Sequence, residues 1–276
     1  MDAGVNEIII EPRKGFDAID LKEIFRFREL FFFLAWRDIK VRYKQSLLGV
    51  AWVVLRPLIT MAIFSVIFGK LAGLPSDGAP YPIFVLLGLI PWGFFSGTLS
   101  TASASVVAGG NLISKVYFPR VIVPLGSALS QMVDMLISLA LLVIVMLFYG
   151  ITPGAATLAL PLLLAFIAVA ALGPGLFLSA LNVKYRDVGH IVPFFVQVWM
   201  YVTPVIYPPS FIPERYRWLL YINPMTGAVE AFRAAFLTAK TVDLHLLAFS
   251  AAISIAMFIF GLYYFRSVER TFADNI

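Results

Sequence analysis

Few residues in this chain combine the types and the spacing that support catalysis. The sequence has no cysteine and two histidines, which lie far apart, so thiolate chemistry is excluded and a histidine metal site has little material. Arg186, Asp187 and His190 are the most compact polar set, but no second carboxylate cluster accompanies them. A polar loop at the start of a helix, with Asp187 near the helix dipole, explains this set better than a catalytic or metal site does.

The residues around Lys70 indicate whether the chain could bind a nucleotide by itself. Gly69 and Lys70 are adjacent, as in a phosphate-binding loop, but the earlier glycine and the following hydroxyl residue are missing. We therefore expect a non-catalytic chain without cofactors, and a partner subunit would have to bind ATP and its magnesium.

Asp134 is the most informative ionisable residue because it lies inside a long apolar run. A bare carboxylate is costly in the membrane interior, and Arg56 occupies a similar depth in another run. The sequence therefore predicts an intramembrane ion pair between Arg56 and Asp134. A proton relay through Asp134 is the alternative, although one acid without a chain of partners makes a poor relay.

The elements that position these residues follow from composition. The chain is 61% hydrophobic and 13% charged, whereas soluble domains average about a quarter charged residues. A helix needs roughly 20 apolar residues to cross a bilayer, and continuous rather than alternating apolar runs favour helices over a barrel. We predict an all-α integral membrane protein with six transmembrane helices, at about 48–69, 83–107, 121–149, 157–181, 189–207 and 246–265.

The distribution of basic residues predicts the orientation of these spans. Six spans place both termini on the same side of the membrane. If that side is cytoplasmic, fifteen Lys and Arg residues lie inside and five lie outside, as the positive-inside rule requires. We therefore expect cytoplasmic termini, 1–47 and 266–276, and a cytoplasmic loop after the second span.

Residues 1–47 contain a predicted amphipathic helix. Apolar residues, among them Phe31, Phe32 and Ala35, follow helical spacing, so the helix should lie in the interface with its basic side toward anionic headgroups. A membrane anchor with no further role is the alternative. The basic residues of interest are Arg37, Lys40, Arg42 and Lys44.

Two features near the outer side could contact another molecule. Residues 208–245 hold two short helical stretches separated by Asn223 and Pro224, which predicts an outer helical hairpin acting as a lid, an exit collar or a structural cap. The fifth span is rich in aromatic residues, which contact sugar rings or pack in interfacial belts. The aromatic residues considered for such contact are Phe195, Trp199 and Tyr201.

Four segments give the whole chain a resemblance to one family. In chain order they are "LAWRDIKVRYKQSLLGVAWVVLRPL", "NLISKVYFPR", "LNVKYRDVGHIVPFFVQVWMYVTPVIYP" and "INPMTGAVEAFRAAFL". They resemble the permease subunit of ATP-binding-cassette exporters that move bacterial surface polysaccharides, namely O-antigen, capsule or teichoic acid. Arg56 departs from the pattern, because an uncharged residue is more usual there.

The resemblance implies a short coupling helix that docks on an ATPase subunit from the first cytoplasmic loop. Carried over to this chain, the helix covers 111–118. Its exposed apolar residues agree with docking, since a bare connector has no need of them. The implied ATPase-coupling residues are Asn111, Leu112, Ile113, Lys115, Val116, Tyr117 and Phe118.

The resemblance also implies the partners and the route. We expect a homodimer with two ATPase subunits in the bacterial inner membrane, with the conduit between protomers and with no nucleic-acid partner. A lipid-linked glycan of O-antigen type would enter beside the amphipathic helix, whose basic residues face the lipid pyrophosphate or the ATPase. It would pass the candidate conduit residues Phe195, Trp199 and Tyr201 and leave beside the outer hairpin. Teichoic acid or another lipid-linked or amphipathic cargo is the alternative, and a lipid-modifying enzyme, a channel or a scaffold are other classes.

Overall fold

The protein is built from helices throughout the part that the computed structural model describes, residues 25–44, 49, 51–237 and 240–272. The part of the predicted amphipathic helix that precedes residue 25 and the tail 273–276 lie outside these residues. The helices are α1 Arg28–Lys44, α2 Ala51–Phe64 with a π-helical extension Ser65–Leu71, α3 Tyr81–Ala108, α4 Gly110–Ile113, α5 Ile122–Phe148, α6 Leu160–Lys184, α7 Val188–Val202, α8 Trp218–Ile222, α9 Pro224–Phe236 and α10 Leu244–Val268.

Five of the six predicted spans are long enough and apolar enough to cross a membrane. They correspond to α2 with its extension, α3, α5, α6 and α10, which confirms the prediction of an all-α membrane protein. The helices form where the sequence is continuously apolar because lipid offers no hydrogen-bond partner to the backbone.

The fifth predicted span, 189–207, is shorter than expected. Its helix, α7, has 15 residues, which is about 22 Å at 1.5 Å per residue and less than the ~30 Å hydrocarbon layer. The chain leaves the helix at Thr203, whose backbone is extended. Pro204 causes this exit because the residue before a proline is driven out of the helical region.

α3 is the central helix of the bundle. It is largely buried and packs against α5, α6, α7 and α9. α10 packs along α6, and α1 packs against α5. α2 contains no buried residue, so it lies at the periphery.

Contacts between connecting segments define two ends of the bundle. At one end, which we call the α4 end, Phe118, Val183 and Phe265 share one buried apolar cluster. At the opposite α9 end, the Tyr81 hydroxyl donates a 2.6 Å hydrogen bond to the carbonyl of Ile206. These contacts position the candidate sites described next.

Candidate functional site

The α4–α5 segment, residues 110–121, differs from the predicted coupling helix. The sequence predicts a helix over 111–118, but α4 ends at Ile113 and turns follow. Pro119 drives the backbone of Phe118 out of the helical region. A single turn of helix also forms too few hydrogen bonds to offset the free-energy cost of helix nucleation. The segment is therefore a short helix followed by a turn-rich loop.

Burial divides the seven predicted coupling residues into two groups. Ile113 and Phe118 are buried, with Phe118 3% exposed, so they anchor the segment to the bundle and cannot contact a partner. Val116 is 51% and Tyr117 is 64% exposed. Among the remaining residues, those exposed or partly exposed are Asn111, Leu112 and Lys115.

The second loop of the α4 end carries the polar set that includes Asp187 and His190. The buried Asn182 side chain fixes this loop, because its amide nitrogen donates to the Ser103 carbonyl at 3.1 Å and its oxygen accepts from the Gly189 amide at 3.1 Å. Lys184, Arg186, Asp187 and His190 are exposed. Within the described parts of the chain, no group of three His, Cys, Asp or Glu residues could hold a metal.

The four basic residues assigned to α1 do not form one surface. Arg37, Lys40 and Lys44 line a shallow depression together with Val41, because spacings of three and four residues place side chains on one side of a helix. The Arg37 guanidinium also donates to the Asp38 carboxylate at 2.8 Å. We call Arg37, Lys40 and Lys44 the basic stripe.

Arg42 points away from the basic stripe and binds Asp134 on α5. The nitrogen–oxygen distance of this ion pair is 2.5 Å, and the Tyr43 hydroxyl donates to the other carboxylate oxygen of Asp134. Burial, followed by the hydrogen bond to the Asp134 carboxylate, raises the pKa of Tyr43. These contacts hold α1 against α5.

The predicted pair between Arg56 and Asp134 is therefore wrong. Arg56 is exposed on α2, and among the residues that the structure describes it forms no ion pair with Asp134. Sequence depth alone suggested the pairing, whereas α1 packs directly on α5 and brings Arg42 closer. The sequence shows Arg42 as a basic residue of α1, but the direction of its side chain depends on the packing of α1 on α5.

The three candidate conduit residues on α7 have different environments. Phe195 and Tyr201 are exposed on the same helix, beside the exposed Phe194 and Val198. Trp199 is partly buried, and its indole N–H donates to the Asn223 side chain at 3.2 Å. Phe195 and Tyr201 are thus available to another molecule, while Trp199 attaches α7 to the start of α9.

The outer helical hairpin is held by an arginine to which the sequence analysis assigns no role. Arg233 on α9 is 0% exposed and donates to the carbonyls of Pro204 and Val205 at 2.8 and 2.7 Å. Glu230 binds the same guanidinium at 2.7 Å. Burial lowers the pKa of Arg233 and the Glu230 carboxylate opposes that shift. The spacing of Glu230 and Arg233 was the available signal.

Arg233 explains why irregular backbone is tolerated after α7. The backbone carbonyls of Pro204 and Val205 follow the end of α7 in a buried segment, and a buried carbonyl without a hydrogen-bond donor is costly in free energy. The guanidinium supplies those donors and also lies 3.6 Å from the centre of the Phe84 ring on α3. The Asn223 side chain caps α9 by accepting from the Met225 amide, so α9 is fixed both at its start and, through Arg233, in its last turn.

Comparison with known proteins gives one family and several relatives. The ABC-2 type transporter family matches residues 29–237. The chain is 28% identical over 239 residues to the O-antigen export system permease protein RfbA of Klebsiella pneumoniae, a match that covers 86% of this chain and 91% of that protein. It is 28% identical over 258 residues to the protein of the same name from Myxococcus xanthus, covering 93% and 98%. The polysialic acid transport protein KpsM of Escherichia coli is 23% identical over 242 residues, covering 85% and 91%.

Proposed function

We propose, from the premise that this chain belongs to the ABC-2 type transporter family, that it is the permease subunit of an ATP-driven exporter of lipid-linked polysaccharide. The names of its relatives support this function, since two are O-antigen export permeases and one transports polysialic acid. Permease subunits of this family are not enzymes. O-antigen is the cargo that these names favour.

The α4–α5 segment is the observation that carries the proposal. This chain exposes Val116 and Tyr117 at one end of its bundle, outside the apolar spans. The segment that carries them is anchored by the buried Ile113 and Phe118. Exposed apolar residues on a fixed loop are the expected surface for a protein partner. The partner is an ATPase subunit that binds ATP and magnesium and docks on Asn111, Leu112, Lys115, Val116 and Tyr117.

The assembly that follows is a homodimer of this chain with two ATPase subunits. It lies in the bacterial inner membrane with both termini cytoplasmic, as the distribution of Lys and Arg favours. The α4 end then faces the ATPase and the α9 end faces the outside. The exposed face of α7 lines the conduit between the two copies of the chain.

The basic stripe is the surface that the lipid-linked substrate binds first. Arg37, Lys40 and Lys44 lie on the interfacial helix at the cytoplasmic side in this orientation, and cations there attract a pyrophosphate headgroup. The sugar chain then passes Phe195 and Tyr201, whose ring faces suit the apolar faces of sugars. It leaves beside α9, which Arg233 holds in place.

A cysteine cross-link tests the docking surface directly, because the chain has no native cysteine. Val116→Cys is combined with single cysteines in the surface groove of the partner ATPase, and the pair is cross-linked in membranes with and without ATP. We expect a specific product whose yield changes with ATP. Leu219→Cys, which is exposed at the α9 end, is the matched control and should give no product.

Absence of the Val116 product in a folded, membrane-inserted complex would contradict the proposed docking.

The cargo is tested separately with the complete complex in proteoliposomes. We expect ATP-dependent movement of a polyprenyl-pyrophosphate-linked glycan. Movement of a polyol-phosphate polymer instead would assign the chain to teichoic acid export.

A further inference from the structure

Arg120 connects the end of the α4–α5 segment to the far end of the chain. Its guanidinium donates from Nη1 to the backbone carbonyl of Glu269, just after α10. The guanidinium carbon lies 6.0 Å from the centre of the Phe272 ring, at the limit of a cation–π contact. Residues 269–272, which we call the C-terminal turn, therefore contact a loop about 150 residues earlier in the chain.

The C-terminal turn is itself firmly packed. Phe272 is 1% exposed, and its ring meets that of Phe265 edge-on with centroids 5.2 Å apart. Arg266 binds the Glu269 carboxylate at 2.8 Å, which joins the turn to the last turn of α10. The turn is thus an extension of α10 rather than a loose tail.

The same apolar cluster includes both anchors of the α4–α5 segment. Ile113, Phe118 and Val121 belong to it together with Phe265 and Phe272. The segment therefore rests on α10 as well as on the helices to which it is covalently joined, α3 and α5. Displacing its exposed tip would push against the C-terminal turn.

We propose that Arg120 and Phe272 are positioning residues that hold the docking segment in its ATPase-binding geometry and link its movement to α10. This inference rests on the proposed function of the segment. Neither residue touches the partner, because Phe272 is buried and Arg120 reaches toward the C-terminal turn. Their role is to keep Val116 and Tyr117 presented at a fixed place.

α10 is able to carry such a movement into the bundle because it contacts α6 backbone to backbone. A Cβ atom on Gly261 of α10 would lie 2.0 Å from the carbonyl oxygen of Gly173 on α6, and one on Gly173 would lie 2.7 Å from the amide nitrogen of Phe258. Helices in such close contact do not slide past each other without collision. Movement of α10 is therefore shared with α6.

The test uses Phe272→Ala and Arg120→Gln in the complete transporter with its ATPase, each in the Val116→Cys background. Each variant removes one of the contacts that position the segment, so the fraction of correctly positioned segment should fall. We expect the yield of the ATP-dependent cross-link and the rate of export to fall together by about tenfold. Phe249→Ala, which removes an exposed aromatic ring from the other half of α10, should change neither.

A rescue experiment separates positioning from general stability. Arg120→Cys and Phe272→Cys are combined in one chain, which has no other cysteine, and joined by a reducible bis-thiosulfonate linker. With Val116 left unchanged, export and ATPase association are measured before and after reduction. The linker should restore both to near the unmodified level, and reduction should abolish the gain.

Three outcomes would overturn the inference. The first is full export and cross-linking by a folded Phe272→Ala variant. The second is loss of export with the cross-link intact. The third is failure of the linker to restore activity in a variant that is folded and inserted. If the Val116→Cys chain without other changes gives no cross-link, the proposed docking surface fails instead, and the two failures are thereby distinguished.

Discussion

At the scale of single residues, the direction of a side chain matters more than its charge. Arg42 and Lys44 are two residues apart in one helix, yet Arg42 binds Asp134 and Lys44 borders the depression of the basic stripe. The reason is helical geometry, since residues two apart point to different sides. A count of the basic residues of α1 therefore overstates its exposed basic surface by one residue, Arg42.

The Asp134 contacts lead to a prediction with a matched control. Asp134→Asn keeps an acceptor for Tyr43 but removes the charge that Arg42 binds, and we expect a loss of about 1–3 kcal/mol because the pair is partly buried and charge-assisted. Arg56→Gln should leave stability unchanged. The thermal midpoint of the detergent-solubilised chain measures both effects.

The opposite order, with Arg56→Gln the more damaging substitution, would show that Asp134 has a partner other than Arg42. Restoration of stability by a charge exchange between positions 42 and 134 would further support the observed pair. The relevant quantity is the difference between the two single variants, because both have the same detergent environment.

At the scale of elements, the contact between α3 and the chain after α7 depends on a glycine. A Cβ atom on Gly88 would lie 2.7 Å from the carbonyl oxygen of Val205 and 3.0 Å from a guanidinium nitrogen of Arg233. The first neighbour is backbone, so it cannot rotate away. α3 therefore approaches the irregular segment 203–206 only because this position lacks a side chain.

Gly88→Ala and Gly93→Ala give a sharp comparison within one helix. We expect Gly88→Ala to destabilise the chain by about 1–3 kcal/mol through overpacking. Nothing lies within 4 Å of a Cβ atom on Gly93, so Gly93→Ala should be neutral or stabilise by up to about 1 kcal/mol. Thermal midpoints and membrane accumulation of both variants provide the measurement, and equal effects would contradict the contact.

At the scale of the whole molecule, several helices present apolar faces that this chain does not cover. α2 contains no buried residue, and exposed apolar side chains also follow one side of α7. In a bilayer, lipid tails or another copy of the chain cover such faces at no hydrophobic cost. The aromatic residues distinguish α7, because they are suited to sugar rings as well as to lipid.

The conduit assignment predicts a difference between neighbouring aromatic residues on α7. Phe195→Ala and Tyr201→Ala should each lower ATP-dependent glycan export by about two- to tenfold, because an aromatic contact contributes about 0.5–1.5 kcal/mol. Assembly with the ATPase should be unchanged. Trp199→Phe should instead lower the thermal midpoint, because it removes the hydrogen bond to Asn223.

Phe148→Ala serves as the control, since this ring is exposed at the end of α5 and lies outside the proposed conduit. Export is measured in proteoliposomes at matched transporter content. An equal loss in Phe148→Ala, or normal export by both α7 alanine variants, would remove α7 from the conduit.

The sequence by itself determined the class of the fold and the elements that compose it. Continuous apolar runs leave a helix as the one way to pair the backbone within each segment, so α2, α3, α5, α6 and α10 could be placed from composition. The two short stretches before the last span were also predictable, because Asn223 and Pro224 interrupt a sequence that is otherwise helical. These are local properties.

Tertiary structure alone decided which residues meet. The packing of α1 on α5 assigned Asp134 to Arg42 instead of Arg56, and the burial of Ile113 and Phe118 separated anchors from exposed residues in the α4–α5 segment. Arg120 and Phe272 come together in the same way, although they lie 152 positions apart in the chain. Side-chain pairing depends on helix rotation and on long-range contacts, and neither is encoded in the hydrophobic pattern of a single segment.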